Sequence, residues 1–343
     1  EVLFNRMKGF RLLQNLLSME KQSDYQYVVD DLRWVQAQRL KYFTKYLPQY
    51  SFQMTTSHEF LPKWRKKRFG PAYISTWRTM HPTWKTDPEL FTIERCRRVI
   101  AGVTSHSNIG GGLDPAIAIR PRTPEDAFRR AVDLLRKFKA ITVNSSYLYE
   151  LLSPAIDNVF YCPNGVDTDF FSPVEKSYRP DAVRIGWVGK VRVAKNVEVI
   201  EAAREILERE GFFVKMIKVP KDSSEKEVLS AEQMREFYRG LDFYLCASWN
   251  EGTPNPALEA AACGVPVITT RVGNMRELID PGVNGFFVEP NVESIVERCR
   301  KIRAIEPAEY DTIQHAMREA IIRSWTWEKN IQNYVPVFEL LCD

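Results

Sequence analysis

The 343-residue sequence has no run of 18 apolar residues, so no helix in it is long and apolar enough to span a bilayer. Its six cysteines (Cys96, Cys162, Cys246, Cys263, Cys299 and Cys342) are scattered and form no CxxC pair. That pattern excludes a disulfide framework and points to a reducing, cytoplasmic compartment. Cys246 and Cys263 sit in apolar runs, where a thiol behaves as a small hydrophobe. No G-x-G-x-x-G follows an apolar run in the expected place, which argues against a dehydrogenase. A dominant charge is lacking too. The 48 basic and 44 acidic residues leave a net +4, too little to argue for nucleic acid and only a slight lean towards an anionic ligand or surface. No repeat of fixed short period and no low-complexity tract occurs. The chain opens at Glu1 without a methionine or a signal-peptide pattern, and is read as a segment of a longer protein.

What is present is an ordinary globular composition, 44% apolar and 12% aromatic, over a length that suits two domains. Short apolar runs alternate with amphipathic stretches. In the first half the expected strands are YQYVVDD (25–31), YSFQMTT (50–56), AYIST (72–76), VIAGVTS (99–105), AITVNS (140–145) and VFYCP (159–163). Helical patterns such as WVQAQRLKYFTKYL (34–47) and EDAFRRAVDLLRKF (125–138) separate them. The second half repeats the alternation with VRIGWVG (183–189), FFVKMIKV (212–219), DFYLCAS (242–248), PVITTRV (266–272) and GFFVEP (285–290). The fold class is therefore α/β, with βαβ units and parallel sheets whose ligands bind at the C-terminal strand ends. A polar, Pro-bearing stretch (170–182) marks the boundary, giving domains 1–175 and 176–325. Residues 1–24 read as an extra amphipathic helix. The basic run KWRKKRFG (63–70) reads as a solvated loop or, through Lys63–Arg68, as a contact for an anionic acceptor or the inner membrane face.

The stretch EGTPNPALEA (251–260) carries the chemistry. Pro254 and Pro256 cannot both lie inside a helix, so Glu251 and Glu259 are not two neighbours on one helical face. The expectation is a strand-end loop holding Glu251, an N-cap at Asn255 with Pro256 first in the helix, and Glu259 in the first turns before a stop at Gly264. Both carboxylates then face the ligand edge of the sheet. They would repel a phosphate at close range, so their natural partners are hydroxyls. Two capping or solvated glutamates are the plain alternative.

From here to residue 290, EGTPNPALEAAACGVPVITTRVGNMRELIDPGVNGFFVEP resembles the signature block of the GT4-type family of retaining glycosyltransferases, with its E-x7-E spacing. CPNGVDTDFFSP (162–173) resembles the segment that closes the family's first domain, and VGKVRVAKN (188–196) its glycine-and-basic segment. The likeness runs over roughly residues 140–300 and is weak before about residue 95. It implies a GT-B fold, two Rossmann-like domains facing across a cleft, with the last helix (326–343) packing back on the first. It implies a retaining, metal-independent transfer of a hexose-type sugar from a nucleoside-diphosphate sugar to a hydroxyl of a glycan, lipid-linked or polymer acceptor, as in polysaccharide biosynthesis, with no cofactor.

Residue by residue, the resemblance implies that Glu259 takes the ribose hydroxyls and Glu251 the donor hexose, with Gly189, Gly252, Thr253, Asn255 and Leu258 completing the donor site. Lys190, Arg192 and Lys195 would stabilise the departing diphosphate. Lys190 stands where the family usually has arginine; a lysine keeps the charge without the bidentate fork, so Arg192 shares the role. His106 would approach the hexose from the first domain, beside a glycine loop (110–112). Asp30 and Asp31 stand where many relatives have a glycine-rich loop. The DTD at 167–169 is read as turn chemistry and not as a metal site. The rival readings are a nucleotide-sugar epimerase or a phosphorylase on the same fold, and a non-catalytic glycan- or nucleotide-binding module.

Overall fold

A computed structural model describes residues 25–30, 35–80, 83, 86–105, 109, 124–219 and 229–341. The amphipathic pattern at 1–24, Asp31, His106 and the glycines at 110–112 lie outside the described residues. Every expected strand is present, shortened at one or both ends except the one expected at 183–189, which is shifted one residue towards the C-terminus. The first six are β1 (Tyr25–Val29), β2 (Phe52–Thr56), β3 (Ala72–Ile74), β4 (Val99–Val103), β5 (Ala140–Val143) and β6 (Val159–Tyr161). They form one parallel sheet in the order β2-β1-β3-β4-β5-β6. The remaining five are β7 (Arg184–Lys190), β8 (Phe213–Val219), β9 (Phe243–Cys246), β10 (Val267–Thr269) and β11 (Gly285–Phe287). They form a second parallel sheet in the order β11-β10-β9-β7-β8.

Both sheets are covered on two faces, which is why their strands read as continuous apolar runs. Side chains alternate between the faces with period two. Tyr25, Tyr27 and Val29 of β1 enter one core of the first sheet and Val28 the other. Phe243 and Leu245 of β9 enter one core of the second sheet, Tyr244 and Cys246 the opposite one.

One face of the first sheet is closed from the far end of the chain. Trp327, Ile331, Tyr334, Val337 and Phe338 join Tyr25, Tyr27, Phe43 and Tyr73 in a buried aromatic cluster. The Tyr25 hydroxyl donates to the Phe338 carbonyl at 2.8 Å. This terminal segment is three short turns, Trp327–Asn330, Ile331–Tyr334 and Val335–Glu339, where the pattern suggested one helix. Pro336 explains the break, since it removes an N–H and crowds the preceding turn. The stretch after β6 meets this segment closely: a Cβ on Gly165 would sit 2.3 Å from the Trp327 nitrogen.

The first three residues of the basic run, 63–65, are helical and not loop. Ser57–Arg65 is a helix opened by a Thr56–Glu59 capping box, and it buries Phe60 and Trp64. Lys63 and Arg65–Arg68 remain exposed.

The second sheet is anchored by Asp242, which is fully buried at the entry to β9. Its carboxylate accepts the Arg184 backbone N–H at 2.8 Å and the guanidinium at 2.6 and 3.0 Å. Asp242→Ala is expected to lower stability by about 3 kcal/mol, since it strands the arginine and a strand N–H. The partial exposure of Arg184, 40%, keeps the loss from being larger. Chemical denaturation followed by near-ultraviolet dichroism measures it.

Candidate functional site

β9 delivers the loop 247–254 to the C-terminal edge of the second sheet, and β7 delivers Gly189 and Lys190 as its last two residues. Arg192 precedes a single 3-10 turn, Val193–Lys195. The Trp249 N–H donates to the Ala194 carbonyl at 2.9 Å, which joins the two loops. The result is an ion pair between Lys195 Nζ and Glu251 Oε1, both largely shielded from solvent at 23% and 12% exposure. Ser248 Oγ donates to the same carboxylate oxygen at 2.8 Å. Burial acts to lower the Lys195 ammonium, but the Glu251 carboxylate outweighs it, so the lysine stays charged with its proton held tighter than usual.

The helix after the elbow runs Asn255–Ala262, one residue earlier than expected, with Pro254 in the cap position. Asn255 is not the cap because its side chain is engaged elsewhere: Asn164 Nδ2, just after β6, donates to Asn255 Oδ1 at 3.1 Å. Glu259 is half-buried on this helix and accepts from the Tyr238 hydroxyl at 2.7 Å. Burial pushes its carboxyl up to about 7, against downward pulls from the Tyr238 hydrogen bond and the Lys41 ammonium of the first domain. The side chain of Leu258 lies in the core beneath the helix.

The elbow is also where the two domains touch. A Cβ on Gly252 would sit 1.8 Å from the Thr104 carbonyl at the end of β4 and 2.7 Å from Asn144 Oδ1 at the end of β5. The close approach that this glycine permits is therefore made by the first domain. Asn144 Nδ2 donates to Thr253 Oγ1 at 3.2 Å. Gly273, at φ +46, supports the elbow from below, where a Cβ would sit 2.1 Å from the Gly252 carbonyl.

Composition and motif reading missed three features here. Asn144 Oδ1, Asn250 Oδ1 and both amide atoms of Asn274 are buried without a hydrogen-bond partner. Asn274 is attached to the elbow, its N–H donating to the Gly252 carbonyl at 3.1 Å. Unsatisfied amides cost roughly 1–3 kcal/mol each, so this loop holds hydrogen-bonding capacity that the protein's own groups leave unused. Glu277 clasps the domains: Ser146 N–H donates to its Oε1 at 2.8 Å and the Tyr161 hydroxyl to its Oε2. Burial and this carboxylate raise the Tyr161 phenol well above its ordinary range. Tyr42 of the first domain stacks on Trp327 at 4.7 Å. Only Glu277 had any signal in the sequence, as one letter of the motif block.

Asp167 of the DTD turn accepts the Phe170 N–H at 3.1 Å, as turn chemistry requires. A cavity of about 770 Å³ lies at the opposite end of the second sheet, between Arg184, Phe212, Phe213 and Lys215, and borders none of the expected residues. The site is thus marked by its side chains and not by the size of a hollow.

Residues 182–304 match the family described as glycosyl transferases group 1. The chain is 27% identical over 210 residues to a D-inositol 3-phosphate glycosyltransferase from Geodermatophilus obscurus, covering 51% of this chain and 46% of that protein. It is 25% identical over 227 residues to a GDP-mannose-dependent alpha-mannosyltransferase from Corynebacterium glutamicum, covering 59% and 53%. The chain spans about half the length of the curated relatives it matches. In three dimensions it is similar to sucrose-phosphate synthase from Thermosynechococcus elongatus, with a TM-score of 0.73 at 14% identity over 94% of this chain and 99% of that one. HepE from Anabaena in complex with UDP-glucose gives 0.65 at 13% identity, over 93% and 100%. The architecture is therefore GT-B, and residues 182–304 are the part of the chain that matches the glycosyl transferases group 1 family.

Proposed function

We propose that the chain is a retaining, metal-independent glycosyltransferase that moves a hexose-type sugar from a nucleoside diphosphate to an acceptor hydroxyl. The observation that carries this is the shielded Lys195–Glu251 pair, placed at the C-terminal sheet edge with Glu259 one helix turn further into the same domain. In the absence of ligand the two charges neutralise one another. A donor exchanges that pairing, its diphosphate taking Lys195 and its hexose hydroxyls taking Glu251. Arg192 and Lys190, on the strand end and turn beside Lys195, add charge where the leaving group becomes more negative.

The leaving phosphate takes the acceptor proton, and the acceptor attacks the face that the phosphate leaves. His106 follows Thr104, the residue that meets the elbow, and is assigned to the hexose from the first domain's side. Contact between Gly252 and Thr104 excludes water from the reacting centre, which guards against hydrolysis.

A panel of nucleotide sugars read by thermal shift tests this, beginning with UDP-glucose because HepE was solved with it. The matching donor at about 100 times its dissociation constant stabilises the fold by roughly 2.7 kcal/mol, which appears as a rise of a few degrees. In Glu259→Ala that rise is expected to vanish at the same concentration, because the ribose loses its acceptor. Since the Glu259 carboxyl sits at about 7, donor affinity should strengthen from pH 6 to pH 8 in the native chain as the carboxylate forms. Glu259→Gln should flatten the part of that trend not due to the donor's own phosphates. A panel that shifts nothing sinks the reading. Turnover of a nucleotide sugar without any acceptor would favour an epimerase instead.

A further inference from the structure

Three basic segments far apart in sequence meet at one edge of the first sheet, the end remote from the elbow. Residues 63–68 lead into β3, 94–98 into β4 and 136–139 into β5, and these three strands are neighbours. Short contacts tie them together: the Ala72 N–H donates to the Arg98 carbonyl at 3.1 Å and the Lys139 N–H to the Val99 carbonyl at 3.0 Å. Arg95 Nη2 reaches the Arg65 carbonyl at 3.4 Å.

The three segments hold eleven basic residues and one acid, Glu94, which is paired with Lys67 at 2.6 Å. That is a net +10 in a chain whose total is +4, so the remainder of the chain carries a net −6. Asp133 and Asp157 stand only at the margin, the first near Arg136 at 3.8 Å. A whole-chain charge near zero therefore hides a strongly polarised molecule.

We propose that this edge is a docking surface for an anionic phospholipid bilayer. Strand β4 is five residues long, so the patch lies roughly 17 Å below the elbow and is too distant to serve the reacting atoms. What selects a lipid partner over a nucleic acid is the apolar content. Ile93, 55% exposed, projects from the turn immediately before Glu94 and can enter the acyl boundary while the cations take headgroups. The nearby rings, Trp64, Phe69, Phe91 and Phe138, are all buried, so no aromatic platform is offered for stacking bases.

Sedimentation with vesicles of phosphatidylcholine, with and without about one-third phosphatidylglycerol, tests this on the whole chain without substrate. It therefore stands or falls apart from the transferase reading. The protein is expected to pellet with the anionic vesicles only, and to be released at about 0.5 M salt. A Lys66→Glu, Arg97→Glu, Lys137→Glu triple variant should bind at least about tenfold more weakly. Lys301→Glu, on the second domain, should bind as the native chain does. Ile93→Asp should weaken binding and Ile93→Trp strengthen it, with thermal transitions confirming that each variant is folded. Equal recovery with neutral and anionic vesicles overturns the proposal. So does retention on single-stranded RNA that exceeds vesicle binding and ignores Ile93.

Discussion

Lys195→Ala is expected to bind nucleotide within a few-fold of the native chain while its turnover falls by about two to three orders of magnitude. The separation follows from where the charge is needed. On the proposed mechanism Lys195 meets the diphosphate already in the ground state, but Lys190 and Arg192 share that charge, so removing one of three cations costs little binding. As the sugar–phosphate bond opens in that mechanism, negative charge accumulates on the leaving oxygen beside a lysine shielded from solvent. A cation at 23% exposure is worth more there than in water. The native pairing with Glu251 adds a second consequence, because the variant leaves a shielded carboxylate without its partner. Lys195→Arg, which restores charge but not shape, should recover part of the loss, as a merely structural role would not predict. Single-turnover kinetics with saturating donor measure the effect, and native-like turnover in Lys195→Ala would falsify the electrostatic role.

Gly252→Ala should lose at least about a hundredfold in activity while both domains stay folded. Its Cβ would lie 1.8 Å from the Thr104 carbonyl, against about 3.4 Å for an ordinary contact, so one backbone must retreat by more than an ångström. Misplacing reacting groups by about 1 Å costs on the order of 10²-fold. The Asn144–Thr253 hydrogen bond would be stretched or lost with the same movement. None of the hydrophobic cores contains Gly252, so the thermal transition should fall only slightly, whereas small-angle scattering should report a more open molecule. Activity within threefold of native, with unchanged scattering, would show that the elbow and Thr104 need not touch during turnover.

Both results test how local pattern and long-range contact divide the work. Alternation of apolar runs placed all eleven strands, because a strand buried on both faces is a local statement about six or seven residues. The loop-then-helix form of 251–262 was legible for the same reason: two prolines and a glycine stop restrict the backbone wherever they occur. Its first residue was not, since Asn255 spends its amide on Asn164, 91 positions away, and no window of sequence contains both. Pro336 could have warned that the terminal helix is segmented, but amphipathic spacing masked it.

Two parallel sheets, the run of their strands and a strand-end loop bearing Glu251 before a helix bearing Glu259 are thus dictated by residue type and spacing, which act over a few residues. The Lys195–Glu251 pair, the orphaned amides around Gly252, the Glu277 clasp and the basic edge under β3, β4 and β5 join side chains dozens to more than a hundred residues apart. Such contacts depend on which strand neighbours which and on how the domains close. That information exists only once the chain has folded onto itself.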